Sequence, residues 1–216
     1  MCIIQVQSKS TQTLDPYGNI SHSEVYDYGS LSTAARTYNY TYLTDANYVN
    51  RYIRNRMLTA TVTPAGGSAV TLVTNTYDNY SAECAAVYVM TARTGLLNHD
   101  DTNYGTGMTY RGNVTAWTSM GGSGCKGYES TGVAVRSADG AGHTMSVTPD
   151  SGTGYSLPGV LTPGGNSNLA TTVTYASSWA VTSVTGPNGA QATTTYDDYG
   201  RPQKSKIPDG AETNYT

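Results

Sequence analysis

The sequence predicts an all-β protein built from repeated β-hairpins, and three observations carry that reading. The first is the phrase Thr194-Thr195-Tyr196-Asp197-Asp198-Tyr199-Gly200-Arg201-Pro202, a strand ending in Tyr-Asp, a tight turn at Gly-Arg and a return. Looser copies stand at Leu14-Asp15-Pro16-Tyr17-Gly18, Tyr26-Asp27-Tyr28-Gly29, Tyr77-Asp78-Asn79-Tyr80 and Tyr110-Arg111-Gly112-Asn113. The second is spacing. Tyr175, Tyr196 and Tyr215 fall about 20 residues apart, and Pro187-Asn188-Gly189 precedes Pro208-Asp209-Gly210 by a similar step, in the range of repeat architectures. The third is composition: 24 Gly with abundant Thr, Ser and Asn call for many turns, and 19 Tyr with no Phe suit half-wet sheets.

Taken in order, residues 3–14 and 20–27 read as alternating strands around the Pro16-Tyr17-Gly18-Asn19 turn, where Pro presets φ and Gly supplies the conformation other residues resist. Residues 36–43 alternate strictly, placing Tyr38, Tyr40 and Tyr42 on one face of a half-buried strand. Thr44-Asp45 can cap a short helix carrying Tyr48, Val49, Tyr52, Ile53 and Met57 at a spacing of about four, while the Leu58–Val62 run favours a strand. Pro64-Ala65-Gly66-Gly67 turns the chain, and Ala69–Tyr77 returns as a strand. Residues 85–97 are apolar enough for a buried strand or a turn or two of helix, and residues 98–113 are polar and turn-rich. The Gly- and Ser-rich stretch 119–130 reads as a mobile loop. Beyond it short strands alternate with turns at Ala138-Asp139-Gly140, Thr148-Pro149-Asp150, Pro163-Gly164-Gly165 and Pro187-Asn188-Gly189. No domain boundary is visible, so residues 1–216 read as one repeat region.

Charge and motifs exclude several functions. A net charge of −3 argues against nucleic acid as a partner. No stretch approaches the ~20 apolar residues of a membrane span, and no secretory signal is visible. Arg51, Arg54 and Arg56 form the one basic cluster; they read as edge arginines pairing with carbonyls and carboxylates, with a phosphate site as the alternative. Cys2, Cys84 and Cys125 are too widely spaced for a zinc knuckle or redox pair, and a Cys84–Cys125 disulfide is the alternative to idle thiols. His99-Asp100-Asp101 is the one dense set of metal-ligand side chains, but adjacent strand positions point to opposite faces, so no metal or cofactor is assigned. No phosphate loop or nucleophile elbow appears. The carboxylates of Tyr-Asp read as turn acceptors, since an Asp entering a turn takes hydrogen bonds from N–H groups two residues on. Asp15, Asp27, Asp78 and Asp197 are then equivalent staples, each beside a packing residue such as Tyr26, Tyr77 or Tyr196.

The motif resembles the YD-repeat, or RHS, family, where a glycine and a short spacer precede Tyr-Asp-x-x-Gly-Arg and an apolar residue. Residues 189–201 match closely; elsewhere Leu14 replaces the Tyr, Gly29 comes one residue early, Ser81 stands for Gly and Arg111 replaces the Asp. In that family, the resemblance implies, the hairpins coil into a spiralling sheet that closes as a hollow shell around a toxin or effector. Gly189, Tyr196, Asp197, Gly200, Arg201, Asp15, Gly18, Tyr26, Asp27, Tyr77 and Asp78 would be turn and packing residues of a secreted or surface-exposed wall without catalytic function. The chain stops at Asn214-Tyr215-Thr216 within the next repeat and shows no capping unit, so it is expected to be a stretch of a larger shell. Its expected partners are the rest of that shell or its own copies, through open sheet edges. The alternative is an adhesive protein binding glycans on Tyr38, Tyr40 and Tyr42.

Overall fold

The computed structural model describes residues 6–81 and 89–215. Among them the chain is all-β, fifteen strands whose order in one antiparallel sheet follows their order in sequence. Contacts group the chain, in which the sequence shows no boundary, into two compact units: Met1–Asn79 with Thr109–Gly124, and Tyr80–Met108 with Cys125–Thr216.

The first unit holds β1 (Lys9–Leu14), β2 (Ile20–Tyr26), β3 (Arg36–Tyr42), one helical turn α1 (Ala46–Val49), β4 (Met57–Pro64), β5 (Val70–Tyr77) and β6 (Val114–Ser119). Of the helix weighed after residue 44 only the turn Ala46–Val49 forms; Tyr52 and Ile53 lie beyond it and Met57 opens the strand. Asp45 caps α1 by accepting from the Asn47 N–H, and Met57–Pro64 is strand. In β3 the period of two is plain. Tyr38 and Tyr40 lie opposite Val62 and Ala60 on one face, and Thr37 and Thr41 lie opposite Thr63 and Thr59 on the other. The Thr41 and Thr59 hydroxyls meet at 2.6 Å. Tyr48 and Ala60 are buried here.

β7 (Gly122–Tyr128) follows β6 through a tight turn, and the second unit continues with α2 (Asp101–Tyr104), β8 (Ala134–Asp139), β9 (Thr144–Pro149), β10 (Pro158–Pro163), β11 (Thr171–Tyr175), β12 (Val181–Thr185), β13 (Gln191–Tyr196), β14 (Pro202–Lys206) and β15 (Glu212–Asn214). The stretch 119–130, expected as a loop, is therefore mostly a strand and its turns. Cys125 and Tyr128 are buried on it, and their burial outweighs the roughly 0.5–1 kcal/mol that each strand glycine costs. Residues 85–88 of the apolar run 85–97 lie outside the described residues. Over residues 89–97 the chain is neither helix nor continuous strand, and Thr91 makes a single parallel bridge to Glu129.

Candidate functional site

One turn is built again and again. Seven turns among the described residues share two bonds: the first residue's N–H donates to the fifth residue's carbonyl, and the fourth residue's N–H donates back to the first carbonyl. They begin at Asp15, Glu129, Asp139, Ala176, Gly186, Asp197 and Ile207. This is the three-residue hairpin loop, a type I turn followed by a left-handed residue. Glycine fills that fourth place at Gly18, Gly132, Gly142, Gly189, Gly200 and Gly210, with φ from +77° to +95°. The seventh turn holds Trp179 there at φ +64°. A left-handed conformation costs an L residue roughly 1–2 kcal/mol. Trp179→Gly should therefore be more stable than Trp179→Ala by about 1 kcal/mol in urea unfolding, since only the backbone separates them, and Gly200→Ala should lose a similar amount. Equal stability of the two Trp179 variants would remove the strain argument.

Three of these turns carry an aspartate at the first place, which closes them from the side chain. Asp15 Oδ1 accepts from the N–H groups of Tyr17 and Asn19, Asp139 Oδ1 from Ala141 and His143, and Asp197 Oδ1 from Tyr199 and Arg201. In each, Oδ2 meets the fifth side chain: Asn19 Nδ2 at 2.8 Å, His143 Nδ1 at 2.8 Å and Arg201 Nε at 2.7 Å. Asp139 escapes the Tyr-Asp pattern, but a glycine three residues on (Gly142) is the signal that would find it. Asp27 is not part of the set. Its carbonyl accepts from Ser30 N–H, while Gly29 N–H bonds Gln7. Tyr26 donates to Glu24 and lies under the Lys9 ammonium.

Hydrogen bonding holds these carboxyls below their ordinary pKa. The largest cause is the Asn19 side chain for Asp15, the His143 side chain for Asp139, and the Arg201 backbone N–H for Asp197. A depressed folded-state pKa means that the unfolded chain binds the proton more readily. The stability from these turns is thus complete above the unfolded value, near pH 4, and is lost as pH falls through the lower folded values. Melting temperature should fall in the window below about pH 4, and Asp197→Asn should lessen that fall. A melting curve unchanged across this window would contradict the assignment.

Asp78 carries the same chemistry across an interruption. Its N–H donates to Asn113 carbonyl, its Oδ1 accepts from Asn113 N–H at 2.9 Å, and its Oδ2 accepts from the N–H groups of Arg111 and Gly112 at 2.8 and 2.6 Å. Gly112, at φ +72°, takes the fourth place and Asn113 the fifth. The two partial repeats at Tyr77-Asp78 and Arg111-Gly112-Asn113 are therefore the two halves of one turn, held together around an inserted segment. A Cβ on Gly112 would stand 2.7 Å from Arg56 Nε and 2.9 Å from Ile53 Cγ2, so any other residue there must displace those side chains as well as adopt the left-handed conformation. The buried Tyr48 phenol is pushed up by burial first and then by its hydrogen bond to Asp78.

Four strand-ending tyrosines, three of them just before such a turn, share a second bond. Tyr42, Tyr77, Tyr175 and Tyr196 end β3, β5, β11 and β13. Each hydroxyl donates to the carbonyl of the first residue of the preceding strand: Ile20, Met57, Pro158 and Val181, at 2.8–3.0 Å. That carbonyl lies where ladder pairing ends, so the phenol supplies a donor to a group that needs one. Tyr38, Tyr40 and Tyr42, the suggested glycan face, are half-buried, and the Tyr42 hydroxyl is committed to Ile20.

The remaining candidates separate. His99 Nδ1 meets Asp101 Oδ1 at 2.9 Å, but Asp100 instead caps α2 through Asn103 N–H. No group of three His, Cys, Asp or Glu among the described residues could hold a metal ion. Cys125 is buried and disulfide-bonded, and Cys2 and Cys84 lie outside the described residues. Arg51, Arg54 and Arg56 donate to the carbonyls of Asn47, Val49 and Gly112, and form no ion pair among the described residues.

Sequence reasoning missed Glu129. It opens one of the seven turns, is 1% exposed, and accepts from Arg93 Nε at 2.8 Å, from Arg93 Nη2 and from Thr131 Oγ1. Arg93 comes from the inserted segment and stacks on Tyr155 at 5.0 Å.

No protein-family model matches the chain, and no curated protein matches it. Among solved structures it is similar to the Photorhabdus luminescens Tc holotoxin pore, at 11% identity over 96% of this chain and 10% of that one, with a TM-score of 0.43. It is also similar to TcdB2-TccC3 without its hypervariable C-terminal region, at 10% identity over 96% and 11% of the two chains and a TM-score of 0.43. TcdB2-TccC3-Cdc42 gives 12%, 96%, 11% and 0.42. The chain thus spans about a tenth of the length of the structures it matches.

Proposed function

We propose that this chain is a non-enzymatic wall segment of a larger, secreted or cell-surface YD-repeat shell that encloses a toxin or effector polypeptide. The observation that carries the reading is the repetition of one turn whose carboxylates bind its own backbone N–H groups. Asp15, Asp78, Asp139 and Asp197, the groups that would invite a catalytic role, are engaged by backbone N–H groups of their own turns. A unit copied along a chain is a building block. Among the described residues the outer edges of β1 and β15 pair with no further strand, so neighbouring hairpins of a parent shell can add there. The disulfide at Cys125 suits an oxidising compartment.

The test is to express this stretch with its flanking coding sequence and image the purified product by electron microscopy, with limited proteolysis in parallel. A hollow particle guarding a polypeptide against protease is expected. A solid particle with no protected fragment would overturn the proposal. Saturable binding on a glycan array, lost on Tyr40→Ala, would favour the adhesive alternative.

A further inference from the structure

We propose that Arg51, Arg54 and Arg56, with Tyr17, Tyr52 and Tyr110, form a docking site for a short acidic peptide segment of a partner protein. All six belong to the first compact unit, on the turns that follow β1, β3 and β5. The Arg54 guanidinium lies between two rings, 4.9 Å from the centroid of Tyr17 and 4.7 Å from that of Tyr52. Arg51 sits 5.7 Å over Tyr110, whose ring in turn meets Tyr48 edge-on at 5.5 Å. The Asn19 side chain, itself gripped by Asp15, reaches the Arg54 carbonyl at 2.8 Å and ties the first turn to this segment.

The cations are held but not neutralised. Arg51 and Arg54 each give one side-chain N–H to a carbonyl, leaving most of a guanidinium's five donors for a ligand. Neither is ion-paired, in a chain whose acids outnumber its bases by 15 to 12. Tyr52 adds a second sign of construction. It is 80% exposed and adopts φ +61°, a conformation bulky residues resist, while its ring supports Arg54. Core packing does not explain that placement.

Charge and extent select the ligand. Nucleic acid needs a track of basic groups along many phosphates, and this chain has 12 basic residues against 15 acidic ones, a net charge of −3. Tyr17 and Tyr52 each turn a ring face to Arg54, so those faces are closed to bases. Carboxylates can still reach the guanidinium edges, and exposed Tyr and Arg are the residue types that dominate peptide and protein contacts.

The experiment is fluorescence polarisation of the whole chain with a labelled oligoglutamate peptide, alongside an uncharged oligoglutamine peptide and single-stranded oligothymidylate. Saturable binding of oligoglutamate, weakened by salt, is expected. Arg51→Gln/Arg54→Gln should weaken it about ten-fold or more, the scale of one or two charged hydrogen bonds. Tyr52→Gly should weaken it about three-fold by removing one stacking ring, yet leave folding intact because glycine favours the left-handed conformation. No binding of oligoglutamate, equal binding of oligoglutamine, tighter binding of oligothymidylate, or indifference to Tyr52→Gly would each overturn the proposal.

Discussion

Replacing Arg93 with alanine is expected to destabilise the second compact unit by about 3–5 kcal/mol, read as a shift in the midpoint of urea unfolding. The magnitude follows from what remains behind. Glu129 is 1% exposed, and Arg93 supplies two of its donors; Thr131 supplies a third. The hydrogen bond to Glu129 is also the largest cause raising the Arg93 pKa, which is the same coupling seen from the cation. Without Arg93 the carboxylate must stay charged out of water, take up a proton, or open the turn it shares with Val133. The companion experiment separates the pair from its surroundings. Arg93→Met/Glu129→Leu should recover much of the loss, because two apolar groups of similar size need no partner. A cost below about 1 kcal/mol for Arg93→Ala would mean that water already reaches Glu129.

Asp78→Ala should be the second large effect, about 3–5 kcal/mol in the first unit, from three charge-assisted backbone bonds lost together. The comparison with Asp197→Ala makes it specific. Both aspartates bind the N–H groups that close a hairpin, but the Asp78 turn also spans the inserted segment. A loop roughly ten times longer than its sisters costs about 2 kcal/mol more to close. The Asp197 turn closes on its own backbone bonds and should lose far less. If the two substitutions prove equal, the insertion is closed by its own contacts and not by Asp78.

The all-β class was legible because turn chemistry and period-two alternation are local signals. Tyr38, Tyr40 and Tyr42 show their face in the sequence itself, and proline-to-glycine spacing marks the turns. What failed to show depends on distant partners. β7 was hidden by its glycines, since the burial of Cys125 and Tyr128 that makes it a strand comes from tertiary contacts. The pairing of Tyr77-Asp78 with Gly112-Asn113 could not be read, because an interrupted turn looks like two poor copies. Glu129 was invisible as a turn opener, one methylene longer than the aspartate the motif leads one to seek. The arginine–tyrosine cluster draws on three separate turns, and only Arg51, Arg54 and Arg56 are neighbours in sequence.

Strand order matching chain order has a consequence for how such a protein is made. Each strand pairs with the one just before it, so a growing chain can dock every new hairpin onto a finished edge as it emerges. Synthesis and assembly can run in the same direction at the same pace. The step from β5 to β6 is the exception, where the edge must wait for the whole inserted segment to pass. A ribosome-bound intermediate paused there would present β5 uncovered, and that is the moment at which this chain is most open to pairing with the wrong neighbour.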